Sequence, residues 1–171
     1  MAQPNLVLFA GPAAAGKTTL AAAWCETRER AVHIQLDEVR SLIVSGFADP
    51  QEGGPVGEQQ YRLAVTGCCA LARTFLADGY DVAIDDALEP DVFRAEWETL
   101  LAGLRYQIVV VLPAVDETLR RSGARKKRVK VAISRQQQEA CLAWPAELHL
   151  DTTGLDVEAS LSLAREKGLL P

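Results

Sequence analysis

The chain has 171 residues, 49% of them hydrophobic and 24% charged, the proportions of an ordinary soluble domain rather than of a disordered or fibrous segment. Its formal net charge of −5, from 18 basic and 23 acidic side chains, argues against a general attraction to nucleic acid or to an anionic membrane. Four cysteines without CxxC spacing and two histidines are too few for a disulfide scaffold or a zinc cluster, so free thiols in a reducing cytoplasm are expected.

The first apolar run, residues 6–10, is too short to span a bilayer, and no basic residue precedes it as a secretory signal would require. It reads as a strand, and residues 17–28 after it read as a helix. Between them lies Gly11-Pro12-Ala13-Ala14-Ala15-Gly16-Lys17-Thr18, a full match to G-x-x-x-x-G-K-[ST]. Glycines there let successive N–H groups turn inward as an anion nest, and the helix start adds its positive end. Lys17 then reaches the β- and γ-phosphates of a nucleotide, the Thr18 hydroxyl ligates Mg²⁺, and Thr19 belongs to the same turn.

A second strand is expected at 32–36, followed by a helix at 37–45. Asp37 falls where the strand ends, a place from which a carboxylate accepts the proton of an attacking hydroxyl. Arg40 is one helical turn on and is suited to an anionic group of an acceptor. Residues 47–57, with three glycines and two prolines, read as a loop that walls the acceptor, and 58–77 as a helix. The third strand, 82–84, ends in Asp85-Asp86, which point to opposite faces if both stay in the strand. Asp85, the more direct continuation of the strand, is the favoured partner of the acceptor or, through water, of Mg²⁺.

A helix at 91–102 and a strand at 107–112 follow. Next comes a helical pair within 116–144, interrupted at Ser122-Gly123. Seven of the 18 basic residues lie between Arg120 and Lys130 with no acid among them, a +7 patch on a body of −12. Such a hinged segment, about 116–134, reads as a lid that closes over the nucleotide and presents Arg121 or Arg125 to the transferring phosphoryl group. A fifth strand at 148–150 runs into the turn LDTTG, and 157–167 is the last helix. Asp116 and Asp156 are the expected helix caps, Gly79 and Gly168 the expected helix stops, and the three tryptophans are expected in core packing. Strand–helix alternation throughout implies a doubly wound α/β fold, a sheet of about five parallel strands with helices on both faces, in one domain covering 1–171.

The order of these motifs resembles that of the small P-loop kinases that group polynucleotide kinase, chloramphenicol phosphotransferase and zeta-toxin-like proteins. The resemblance spans essentially the whole chain. It implies ATP and Mg²⁺ at Lys17 and Thr18, Asp37 as general base, Arg40 on the acceptor, Asp85 near the active site, and Arg121 and Arg125 as lid arginines. The expected activity is transfer of the γ-phosphoryl of ATP to a hydroxyl of a small-molecule or nucleotide acceptor. A 5′-hydroxyl polynucleotide kinase is the alternative, disfavoured by the acidic body and the absence of an accompanying phosphatase or ligase segment. A regulatory ATP-binding module without an acceptor is the reading from another class.

Overall fold

The computed structural model describes residues 3–49, 54–87, 96–123, 131–143 and 146–171. Its strands are β1 (Leu6–Ala10), β2 (Ala31–Gln35), β3 (Asp81–Asp85), β4 (Tyr106–Val111) and β5 (Leu148–Leu150). All pair in parallel, in the order β2-β3-β1-β4-β5. The helices are α1 (Lys17–Glu26), α2 (Leu36–Ser41), α3 (Pro55–Ala77), α4 (Glu98–Leu100), α5 (Val115–Gly123), α6 (Val131–Leu142) and α7 (Val157–Glu166). This is the doubly wound sheet that the strand–helix alternation implies. After β3 the chain crosses to the far side of β1 to add β4, and that reversal opens a crevice at the carboxyl end of β1.

All five residues of β1 are fully buried, which explains an apolar run without polar alternation. Alternate side chains still serve opposite layers. Leu6, Leu8, Val82, Ile84 and Val110 pack with Val65, Cys68 and Ala72 of α3 and with Trp97. Val7, Phe9, Ala83, Val109 and Val111 pack with Leu20 and Trp24 of α1 and Leu161 and Ala164 of α7. None of the four cysteines is in a disulfide, and burial pushes the Cys25 and Cys69 thiols up to about 11 and the Cys68 thiol up to about 12. Among the described residues no helix is long and apolar enough to cross a membrane.

Several boundaries differ from the sequence reading for local reasons. Helix α3 begins at Pro55 rather than residue 58, because Pro55 supplies a preset first-turn φ directly after Gly54 (φ +90°). Helix α2 stops at Ser41, well short of residue 45. Asp156 caps α7 by accepting from the Ala159 N–H at 2.8 Å, whereas Asp116 is already inside the first turn of α5 and is not its cap. Gly79 and Gly168, at positive φ, end their helices as expected. Trp24 and Trp97 are fully buried in the core, while Trp144 lies outside the described residues, as do residues 91–95 of the expected helix at 91–102.

Candidate active site

The turn between β1 and α1 is shaped by two glycines. Gly11 sits at φ +142°, and a Cβ there would lie 2.3 Å from the Val111 carbonyl oxygen, so glycine alone lets β1 leave the sheet against β4. Gly16, at φ +104°, precedes α1 with no side-chain cap. The first turn of α1 also carries no acid, so its N–H groups and positive helix end face an open anion position. Lys17 is half-buried, and its ammonium donates to the Pro12 carbonyl at 2.9 Å. Burial holds that ammonium below the usual lysine range, against the opposing pull of Asp86, Asp85 and Asp37. Thr18 and Thr19 are exposed beside it.

Those three carboxylates come from the ends of β2 and β3. Asp37 is exposed in the first turn of α2. Asp85 ends β3 on the same face as Ala83, below α1. Its Oδ2 lies 3.3 Å from His33 Nε2 but out of hydrogen-bond alignment, and both atoms are buried with no hydrogen bond of their own. Asp86, just past the strand, turns to the opposite face. It accepts from the Tyr61 hydroxyl at 2.6 Å and the Ala87 N–H at 2.6 Å, and Tyr61 in turn accepts from Trp97 Nε1 at 3.1 Å. Desolvation raises the Asp86 carboxyl to about 6, with the Tyr61 and Ala87 donors pulling the other way.

Arg40 is buried, one turn beyond the exposed Asp37. Its Nη2 donates to the Ala48 and Gly57 carbonyls, each at 3.2 Å, while its Nε has no partner. Gln60 of α3 reinforces the same segment, bonding Gly46 O at 2.7 Å and the Ala48 N–H at 2.9 Å. In this conformation Arg40 therefore ties Ala48 to Gly57 in the first turn of α3 through their carbonyls.

On the other side of the phosphate turn lies a cleft of about 510 Å³, lined by Gly16, Thr19, Leu20, Arg121, Thr152 and Val157 among others. Arg121 is its clamp. Its Nε donates to Glu117 Oε1 at 2.8 Å, Nη1 to Ala15 O at 2.8 Å and Nη2 to Thr152 O at 3.0 Å. The guanidinium thus ties the phosphate turn to the loop after β5. Thr153, whose hydroxyl donates to Asp151 at 2.6 Å and accepts from the Ala114 N–H at 2.7 Å, fixes that loop from below. Arg121 and Arg120 hold the Glu117 carboxyl down to about 2.

The fold gathers Lys17, Thr18, Asp37 and Asp85 around one crevice, places Arg40 in its wall, and sets Arg121 on the cleft side of the phosphate turn. Arg125 and the basic run around it lie outside the described residues. Asp86, Tyr61 and Gln137 were not singled out from the sequence. The Asp85-Asp86 pair was the one visible signal for the first. No periodicity marks Tyr61 or Gln137, which arrive from 25 residues before Asp86 and 124 residues after Ala13.

A glycine-framed anion nest at the switch point of a parallel β2-β3-β1-β4-β5 sheet defines a P-loop nucleotide-binding protein with the fold of the small P-loop kinases. A family model described as an AAA domain (AAA_33) matches residues 6–149, and the chain belongs to that family. The comparison with curated proteins returned no match. Among solved structures, the tunicamycin resistance protein of Deinococcus radiodurans superposes with a TM-score of 0.72 at 18% identity, covering 98% of this chain and 97% of the other. A gluconokinase from Sinorhizobium meliloti 1021 gives 0.71 at 13% identity, over 98% and 93% of the two chains. The shikimate kinase of Bacteroides thetaiotaomicron gives 0.69 at 17% identity, over 95% and 97%.

Proposed function

We propose that the protein is an ATP-dependent kinase that moves the γ-phosphoryl group of ATP to a hydroxyl of a small-molecule acceptor. The observation that carries this reading is the convergence of Lys17, Asp86, Asp85 and Asp37 beside the phosphate turn, with a separate cleft on its far side. The cleft suits the base and sugar of the nucleotide, and the 11–19 turn suits its phosphates. The acidic side suits the acceptor, with the 47–57 segment as part of its wall. The three compared structures named above, two of them sugar-acid or small-acid kinases by name, support a small acceptor over a polynucleotide.

The chain's own residues divide the work. The inward amides and Lys17 hold the triphosphate and balance its charge. Asp37 takes the proton of the acceptor hydroxyl as the oxygen attacks the γ-phosphorus and ADP leaves. Arg121, in its present bonds, stiffens the phosphate turn, and Arg125 is the proposed lid arginine for the phosphoryl oxygens. Arg40 holds the acceptor wall, with Nε left for an acceptor oxygen. Residues 1–171 are read as one domain, with the lid at about 116–134.

Magnesium fits the residues present. The Thr18 hydroxyl and the Asp85 carboxylate are hard oxygen donors, and Asp85 Oδ2 is a buried oxygen that accepts no hydrogen bond. Thr18 would hold the ion directly and Asp85 through water. The ion would supply charge neutralisation on the phosphates.

The test is labelled ATP with a panel of hydroxyl acceptors: sugars, sugar acids, amphenicol- and aminoglycoside-type compounds, nucleosides and 5′-hydroxyl oligonucleotides. Asp37→Asn is expected to lower phosphoryl transfer at least a hundredfold while ATP affinity, by calorimetry, stays within about twofold. Unchanged transfer would remove Asp37 as the base, and label on the oligonucleotide would replace the small acceptor by a polynucleotide end.

A further inference from the structure

The phosphate turn is already bonded to a residue from the far end of the chain. Gln137, half-buried on α6, accepts through Oε1 from the Ala13 N–H at 3.0 Å. Lys17, the other main phosphate group, is folded onto the Pro12 carbonyl one residue away. One amide of the phosphate turn and the Lys17 ammonium are thus both turned onto neutral oxygens.

The α6 helix is well placed to hold Gln137 there. Its neighbour Gln138 is buried and donates through Nε2 to the Pro113 carbonyl at 2.9 Å, which fixes the helix against the end of β4. One turn further on, Cys141 is buried in the core and close enough to Lys17 to act on its charge. Gln137 therefore has a set distance from the turn, with only its own torsions free.

A carboxamide carries an acceptor oxygen and a donor NH₂ on one planar group. A phosphate oxygen is charged and is the stronger acceptor for the Ala13 N–H, so an arriving triphosphate takes over that bond. The side-chain torsions of Gln137 then draw the carboxamide back from that spot and turn Nε2 toward the oxygen that displaced Oε1. We propose that Gln137 is a γ-phosphate-reading residue: its carboxamide waits on Ala13 in the empty site and donates to the γ-phosphoryl oxygen once ATP is bound. ADP, lacking that oxygen, leaves the resting bond in place. The inference rests on the nucleotide-site reading and extends it to discrimination between the two nucleotides.

The experiment is calorimetry of Mg–ATP and Mg–ADP with the full chain, in the wild type, Gln137→Leu and Gln137→Glu. Leucine keeps the bulk and has no polar group. Glutamate keeps the shape but offers only acceptors, and its charge repels the phosphate. For Gln137→Leu, ATP affinity is expected to fall about three- to tenfold, and for Gln137→Glu more than tenfold, with ADP affinity within about twofold of wild type in both. Retained ADP binding also shows that each variant is folded. Parallel losses for ATP and ADP would make the contact a loop fastener, and tighter ATP binding by Gln137→Leu would make it a plug; either result overturns the proposal. A wild type that binds neither nucleotide would overturn the nucleotide reading itself, which separates that failure from this one.

Discussion

Asp86 shows how one residue's surroundings set a measurable pH response. Its carboxylate is desolvated between α3 and the end of β3, and two donors at 2.6 Å offset only part of that cost, leaving it at about 6. An unfolded aspartate titrates near 4. The folded state therefore holds this proton more tightly, and stability falls as pH rises from about 4 to about 6. The loss is complete above that window. Asp86→Asn does not titrate, so its stability relative to wild type should improve between pH 4 and pH 7, by up to about 3 kcal/mol for a shift of about two units. Denaturant unfolding at the two pH values measures that difference, and bonding changes common to both pH values cancel. An equal gap between variant and wild type at pH 4 and pH 7 would contradict the assignment.

At the scale of elements, Arg121 belongs to a junction of three segments. It joins α5, the phosphate turn at Ala15 and the loop after β5 at Thr152. The sequence reading put it with the lid because a basic helix next to Ser122-Gly123 has the composition of a closing segment. Composition marks a cation but gives no direction for it: the Glu117 partner one turn back is a spacing the sequence carries, but Nη1 and Nη2 are directed by the Ala15 and Thr152 carbonyls, which no sequence pattern reveals. The same limit applies to Arg40, legible as a cation one turn after Asp37 but not as the fastener of Ala48 and Gly57. The glycines of the phosphate turn were fully legible, because the backbone angles they permit are themselves the function. If Arg121 supports the nucleotide cleft, Arg121→Ala should raise KM for ATP about tenfold and lower kcat only a few fold. Steady-state kinetics against ATP decides it: a large fall in kcat at unchanged KM would return Arg121 to the transferring phosphoryl group.

The whole molecule is closed by its last residues. Trp24 of α1 donates through Nε1 to the Leu170 carbonyl at 3.0 Å, and Arg28 adds a second donor to the same oxygen at 3.0 Å. Gln107, at the start of β4, bonds Gly168 O and the Leu170 N–H, and Asn5 reaches Pro171 O. Strand entrances, α1 and the end of α7 are thereby joined at the pole opposite the active site. A parallel sheet of about five strands was readable from apolar runs and the strand–helix rhythm, whereas the order of its strands was not, and this closure pairs positions 146 residues apart and left no local mark.

Trp24 is fully buried and meets Phe9 edge-on with ring centroids 6.3 Å apart, so Trp24→Ala leaves a cavity and removes one of the two donors to the Leu170 carbonyl. A loss of about 3–5 kcal/mol is expected, a Tm lower by roughly 10 °C. The cavity lies in the α1–α7 layer and the phosphate turn is built by Gly11 and Gly16, so the folded variant should still bind nucleotide. Mg–ATP at a hundred times its Kd should then raise the Tm of variant and wild type by similar amounts, about 2.7 kcal/mol of stabilisation each. Thermal unfolding with and without nucleotide tests both halves. A variant that is destabilised and also unresponsive to ATP would show that the closing pole and the phosphate turn are energetically coupled through α1, against the independence argued from their separation.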